Sequence, residues 1–161
     1  MRITIKNART DEEFKGKAYV HWSCWQDTYP GMVDDGYLAA LTLEKCEQLA
    51  YKWRENILIA KDGEKVVGFA GYGKSDELPD CGEVYALYVL ADYRGRGVGS
   101  RLFDAALGIL KEYPKKSIWV LKENKNAIAF YKKHGFAADG TEKTVQSIKA
   151  DGIRMIRNDT R

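Results

Sequence analysis

Strict alternation opens the chain. Arg2 to Lys6 ("RITIK") puts an apolar residue at every second position, which predicts a strand. The spacing then lengthens. Phe14, Ala18, His21, Trp22 and Trp25 recur at three- and four-residue steps, the period of one helix face. Thr10-Asp11-Glu12-Glu13 precedes them and reads as a capping box, in which the Thr10 hydroxyl and the Glu13 carboxylate each meet an open backbone donor. A second helical stretch is predicted from about Tyr37 to Arg54. Thr42 is the N-cap of its latter half, and Cys46, Leu49, Ala50 and Trp53 form one face.

Two apolar runs, "NILIA" and "VVGFAGYG", flank Asp62-Gly63 and predict a β-hairpin. A loop with Pro79 leads to "EVYALYVL" (Glu83 to Leu90), the strongest strand pattern in the chain. Leu102, Phe103, Ala106, Leu107 and Leu110 mark the next helix, and "SIWVL" the next strand. A short helix from about Ala127 to His134 stops at Gly135, and Ala150 to Gly152 ("ADG") is expected to turn a final hairpin. The order β-α-α-β-β-β-α-β-α-β-β predicts one α/β domain over residues 1–161 with a mixed sheet.

Composition narrows the setting. The three cysteines, Cys24, Cys46 and Cys81, are odd in number and widely spaced, so no disulfide framework is expected. They and the two histidines lack metal-ligand spacing, and no metal is expected. The N-terminus has no signal-type apolar stretch and no run approaches the ~18 residues of a membrane span, so a cytoplasmic location and no membrane partner are expected. Charge is unevenly placed. Residues 1–93 hold 11 Lys/Arg against 16 Asp/Glu, whereas 94–133 hold 10 against 3. That asymmetry suggests an anionic ligand near the start of the basic segment. Nucleic acid is disfavoured as that ligand, because no groove-reading helix or stacking platform is evident and half the chain is acidic.

The basic segment opens with Arg94-Gly95-Arg96-Gly97-Val98-Gly99, between a strand and a helix. A helix N-terminus leaves backbone N–H groups without partners and is positive, and glycines let a phosphate approach with no Cβ in the way. The segment is not a Walker loop. It is a poor dinucleotide fingerprint too, because Ser100 stands where that fingerprint's third glycine would fall. A pyrophosphate cradle fits better.

Those residues match R/Q-x-x-G-x-G/A, and "LKENKNAIAFYKKHGF" (Leu121 to Phe136) resembles L-x-x-N-x-x-A-x-x-F-Y-x-x-x-G-F. Together, in register, the two segments resemble the GNAT superfamily of N-acetyltransferases, over essentially the whole chain. The resemblance implies a single GNAT-like domain: a central mixed, mostly antiparallel sheet flanked by helices. It implies acetyl-CoA as cosubstrate and direct transfer to an amine in a ternary complex. Pantetheine would lie along Leu87, Tyr88 and Val89, with the N–H of Val89 or a neighbour polarising the thioester carbonyl. The N–H groups of Arg94, Gly95, Arg96, Gly97, Val98, Gly99 and Ser100 would hold the pyrophosphate. Asn124 is favoured over Asn126 as the coenzyme-contacting asparagine, with Ala127 beside it, and Tyr131 as the proton donor to the departing thiolate.

An alkylamine with a pKa near 10.4 must lose a proton, at a cost of roughly 4.6 kcal/mol at pH 7, so a general base is expected. Glu83 lies eleven residues before Arg94, the register at which some GNAT enzymes carry a catalytic glutamate. A solvated strand-end carboxylate is the other reading of Glu83. His21 and Cys24 suggest a nucleophilic pair only weakly, since His21 shares the apolar face of Trp22 and Trp25. "WQDTYPG" resembles a GNAT acceptor wall and puts Trp25, Asp27 and Tyr29 on the acceptor side, with Asp34 and Asp35 following. Asp76, Glu77 and Asp80 add negative charge in a separate loop. Such carboxylates favour a small cationic amine such as a polyamine. A protein N-terminus or lysine is the alternative acceptor, and a non-catalytic coenzyme A-binding module the alternative class. A monomer or homodimer is expected.

Overall fold

In the computed structural model, which describes residues 1–159, the chain runs β1 (Ile3–Asn7), α1 (Asp11–Thr28), α2 (Asp35–Ala40), α3 (Leu43–Lys52), β2 (Ile57–Asp62), β3 (Lys65–Lys74) and β4 (Cys81–Val89). A 3-10 turn (Ala91–Tyr93) leads to α4 (Val98–Ile109), β5 (Lys115–Leu121), α5 (Lys125–Lys133), β6 (Ala137–Val145) and β7 (Ala150–Asn158). The strands form one sheet in the order β1-β2-β3-β4-β5-β7-β6. Every neighbouring pair is antiparallel except β4–β5. This is the mixed, mostly antiparallel sheet flanked by helices that the sequence predicts.

The two faces are covered by helices that need close backbone approach. On one face α1 crosses β3, where a Cβ on Gly16 would meet Val66 Cγ2 at 2.6 Å. On the other α4 packs down so far that a Cβ on Gly68 would meet Leu102 Cδ1 at 2.9 Å. Leu102, Phe103 and Ala106 of α4 are wholly buried with Ile59, Val67, Ile118 and Met155 of the sheet. The α1 capping box forms as expected. Thr10 Oγ1 accepts from the Glu13 N–H at 3.1 Å, and Glu13 Oε1 accepts from the Thr10 N–H at 3.1 Å. Glu13 also holds Lys6 and Lys61, which keeps its carboxyl ionised down to about 2 despite burial.

Three boundaries differ from the sequence expectation. The stretch from Tyr37 to Arg54 is two helices, because Leu41 turns extended and Thr42 starts afresh, its Oγ1 accepting from the Lys45 N–H at 3.2 Å. Of the expected face, Cys46 and Ala50 are buried, whereas Leu49 and Trp53 stand in solvent. The short helix begins at Lys125, two residues early. Finally, Ala150 to Gly152 is not a turn but the first part of β7, paired with Lys143 to Val145. The chain reverses just before it, with Lys149 at a positive φ of 51°. Gly152 stands in the ladder opposite Lys143, where a Cβ would make an ordinary contact with the Trp119 ring at 3.5 Å.

Candidate active site

The parallel pair β4–β5 joins only Cys81–Glu83 to Lys115–Ser117. Beyond that point β4 stays with β3 as far as Val89, and β5 stays with β7 as far as Leu121. The two strands therefore splay into a fork whose apex is Glu83. Tyr85 is an extra residue opposite the Gly71–Tyr72 step of β3, a bulge that bends β4 where the fork opens. A cavity of about 870 Å³ fills the fork, lined by Leu87, Tyr88 and Val89 on one arm and Ile118 and Val120 on the other. The Leu90 N–H donates to Val67 O on β3, so by strand alternation the N–H groups of Val89 and Leu87 point the other way, into the fork.

At the mouth of the fork the glycine loop turns into α4. Gly95 and Gly97 have φ of 76° and 82°, left-handed values that cost other residues roughly 1–2 kcal/mol. Gly97 is the N-cap and offers no side-chain cap, and the first turn of α4 has no acidic residue. The first hydrogen bond of the helix runs from the Arg101 N–H to Gly97 O at 3.1 Å. The N–H groups of Val98, Gly99 and Ser100 thus point out of the first turn unpaired, an anion cradle at a positive helix end. Gly95, Gly97, Gly99 and Ser100 line the cavity.

Of the two loop arginines, Arg94 lines the cavity and Arg96 does not. Arg94 turns back toward α1, where its Nε donates to Val89 O at 2.8 Å and its Nη2 to Asp27 Oδ1 at 3.1 Å. Arg96 stays outside the cavity, over the Tyr93 ring and against Met1. Val98 is buried in the core and contributes backbone only. Asp27 is therefore not a free acceptor-side carboxylate, and Asp34 is likewise engaged, accepting from the Tyr37 N–H and facing Lys149 at 3.5 Å.

Three tyrosines meet inside. Tyr29 and Tyr88 hydroxyls lie 3.2 Å apart, and the Trp25 Nε1–H donates to the Tyr88 hydroxyl at 3.2 Å. Trp25 itself stays behind them, edge-on to Tyr29 with centroids 4.6 Å apart. Tyr131, from α5, lines the same cavity, and burial raises its hydroxyl pKa well above the ordinary value, keeping its proton on at neutral pH. Asn124 and Asn126 both line the cavity, but Asn124 is the cap of α5, its Oδ1 accepting from the Ala127 N–H at 3.2 Å.

Glu83 stands apart from the cavity wall, about 13 Å along the strand from Leu87. Its carboxyl is pushed up to about 7 by burial and by Glu77 and Asp76, against the pull of Lys143 and Arg154. A group that titrates there is suited to proton transfer at neutral pH, through a water chain rather than by contact. His21 and Cys24 form no pair. Cys24 Sγ donates to Val89 O and its thiol is pushed up to about 11, while burial holds the His21 imidazole neutral down to about 4.

Sequence reasoning missed His134, which lines the cavity and joins Ser100 Oγ at 3.3 Å and Asp104 at 3.5 Å. Its place three residues after Tyr131 on α5 was the available signal. Phe130, Thr28 and Met32 also line the cavity and were not singled out.

A forked sheet with an unpaired helix N-terminus at its mouth defines a class, proteins able to hold an anionic, extended ligand through the gap between two strands. The model of the acetyltransferase (GNAT) family matches residues 18–136, so the chain belongs to that family and is an acetyl-CoA-dependent N-acetyltransferase. An uncharacterised N-acetyltransferase of Bacillus subtilis is 28% identical over 162 residues, 94% of this chain and 91% of its own length. A mycothiol acetyltransferase of Corynebacterium glutamicum is 31% identical over 83 residues, half of this chain and 28% of its own. The crystal structure of the paiA N-acetyltransferase of Thermoplasma acidophilum in complex with coenzyme A shares the fold. Its TM-score is 0.76 at 21% identity, over 98% of this chain and 99% of that one.

Proposed function

We propose that the chain acts as one catalytic domain that binds acetyl-CoA through the fork and transfers its acetyl group to a small cationic amine. The single observation that carries this is the alignment, through one cavity, of unpaired α4 N–H groups, fork-facing β4 N–H groups and the Tyr131 hydroxyl. The pyrophosphate lies on the N–H groups of residues 95–100, the pantetheine along Leu87 to Val89, and α5 brings Asn126 and the Nδ2 of Asn124 to it, the Asn124 Oδ1 alone being used in the cap. The amine nitrogen attacks the thioester carbon. Its proton leaves through water to Glu83, and Tyr131 protonates the departing sulfur. The acidic group of Asp76, Glu77 and Glu83 supports a cationic acceptor more than Asp27 and Asp34 do, although Glu77 also accepts from Trp119 Nε1–H at 2.9 Å and faces Arg154 at 4.0 Å.

A peptide amine is the second reading. Exposed Tyr85, its ring lying over Gly73 of β3, gives a longer acceptor such as a peptide an aromatic surface beside the fork apex. The test is thiol release from acetyl-CoA over polyamines, amino sugars, amino acids and lysine or N-terminal peptides, with Tyr131→Phe alongside and acetyl-CoA binding measured for both. Turnover confined to peptides would replace the polyamine reading. Failure of the wild-type protein to bind acetyl-CoA would overturn the site assignment.

A further inference from the structure

Among the described residues, the cavity-lining side chains that can carry positive charge are Arg94, Lys133 and His134. Arg94 is committed to Asp27 and Val89 O, and Lys133 is exposed. His134 is held firmly against the glycine cradle. Its ring packs edge-on to Phe103 with centroids 5.1 Å apart, and against Phe130 at 4.6 Å. Its backbone is fixed too, since its N–H donates to Tyr131 O at 3.1 Å and Arg157 Nη1 donates to its carbonyl at 3.0 Å. The ring thus stands with Nε2 3.3 Å from Ser100 Oγ and Nδ1 3.5 Å from Asp104 Oδ1. Ser100 carries one of the unpaired N–H groups of the first turn of α4 and itself lines the cavity.

A carboxylate only accepts, so Asp104 takes the Nδ1–H. A neutral ring then has no second N–H, and its bare Nε2 accepts the Ser100 hydroxyl proton, which turns that O–H away from the cradle. An imidazolium has both. It donates to Asp104 and to Ser100 Oγ together, and the Ser100 O–H is released toward the cavity. Either sense of the Ser100–His134 contact in the free protein leads to this same charged state once an anion sits on the Ser100 N–H. We propose that His134 is a phosphate-binding residue of the coenzyme site, an imidazolium that backs Ser100 against the pyrophosphate, with Asp104 as its positioning residue. This rests on the placement of the pyrophosphate given above. Binding draws a proton from solvent onto the ring, and no covalent bond to the ligand is made or broken. The elements around the ring leave room for that charge. From α4 come Asp104, Ser100 and Phe103, and from α5 Phe130, Lys132, Lys133 and the protonated Tyr131. From β7 comes Arg157, whose guanidinium is paired with Asp159. Asp104 faces the ring from an exposed position, so a phosphate at Ser100 adds a second negative partner on the cavity side.

Coenzyme binding tests this without turnover. Acetyl-CoA and its 3′-dephospho form are titrated calorimetrically from pH 6 to pH 8.5, in paired buffers whose different ionisation enthalpies report proton uptake. The dephospho form keeps the pyrophosphate and removes the 3′-monoester, which itself titrates in that range. Wild type is expected to take up part of a proton with the dephospho form and to bind it about tenfold more tightly at pH 6 than at pH 8. His134→Gln is expected to abolish that uptake and to weaken binding about tenfold at pH 6, with little loss at pH 8. Asp104→Asn, at an exposed site that the fold does not need, is expected to move the uptake to lower pH. S-acetylpantetheine, which has no phosphate, is expected to bind wild type and His134→Gln alike. Unchanged affinity and proton uptake in His134→Gln overturn the role of His134, and an uptake left in place by Asp104→Asn overturns that of Asp104. An equal loss of S-acetylpantetheine affinity makes the ring a packing element and overturns the phosphate contact. A His134 effect seen with acetyl-CoA and absent with the dephospho form moves the contact to the 3′-phosphate and overturns the pyrophosphate assignment. Failure of the wild type to bind acetyl-CoA removes the coenzyme placement itself, whatever His134 does.

Discussion

Replacing Glu83 by Gln tests the fork apex in two independent ways. The wild-type carboxyl rises from 4.5 to about 7, a preference for the neutral form of roughly 3 kcal/mol. The unfolded chain ionises near 4.5 and the folded one near 7. Stability is thus fully present below 4.5 and is lost as pH rises through 7. Glu83 is half-buried, so about 2 kcal/mol of that loss is a reasonable expectation. Glu83→Gln cannot ionise and should therefore be more stable than wild type at pH 8, by about 4–8 °C in Tm, and no more stable at pH 4.5. The kinetic test uses the same value. A base with a pKa of about 7 should raise kcat/KM about tenfold between pH 6 and pH 8. The acceptor amine also titrates, so the informative quantity is the quotient of the wild-type and Glu83→Gln profiles, in which the amine cancels. A flat quotient from pH 5.5 to 8.5 would refute Glu83 as the base even if the stability difference appears. Absence of the stability difference would refute the raised pKa itself.

Two further outcomes follow from the geometry. In Gly99→Ala the new Cβ would rest 3.7 Å from Phe130, an ordinary contact, so Tm should hold or rise. KM for acetyl-CoA should still increase on the order of tenfold, because the methyl stands in the first turn of α4 where a phosphate must approach; a KM unchanged from wild type would count against the cradle. His21, among the Trp25, Phe69 and Tyr88 rings, is held down to about 4 from 6.5. Its contribution is intact above pH 6.5 and is lost as pH falls toward 4, by about 2 kcal/mol. His21→Gln should flatten that acid limb in urea denaturation at pH 4.5 against 7.5, and an equally steep limb in the variant would show that another group causes it.

The parts of the fold legible in the sequence are those fixed by neighbours in the chain. Thr10 and Glu13 cap one another across three residues, Asp62-Gly63 turns its own hairpin, and the α4 face repeats within a few turns. The unreadable parts depend on distant residues. The break at Leu41 follows no proline or glycine, and Gln26, from α1, donates to Leu38 O and Leu41 O at 3.0 and 3.2 Å across it. Gly152 resembles a turn glycine in sequence but pairs with Lys143 inside the β6–β7 ladder, a register decided by the whole strand rather than by its neighbours. The motif residues of the proposed site were legible because a glycine run before a helix exposes open backbone N–H groups by local geometry alone. The state of Glu83 was not, since Glu77, Asp76, Lys143 and Arg154 reach it from a loop and two other strands.

The same distinction explains how the basic segment works. Its position pointed to the anion site, yet four of its ten cations are paired with other groups of the protein. Arg94 holds Asp27 and Val89 O, Arg101 holds Ile3 O, Lys116 holds Asp159 and Lys122 holds Glu142. Lys133 is the one lysine of the segment that lines the cavity. In the cavity the unpaired α4 N–H groups thus stand beside only two of those cations, Arg94 and Lys133, and Arg94 also serves as a brace. That brace converges on one atom. Val89 O accepts from Arg94 Nε at 2.8 Å and from Cys24 Sγ at 3.3 Å, which ties the end of β4 and the loop to α1. The C-terminal part of α1 also supplies Trp25 and, one residue past its end, Tyr29. The glycine loop and the end of β4 with its fork-facing N–H groups are therefore held to α1 by shared contacts, so a change at Arg94 or Cys24 reaches both arms of the site.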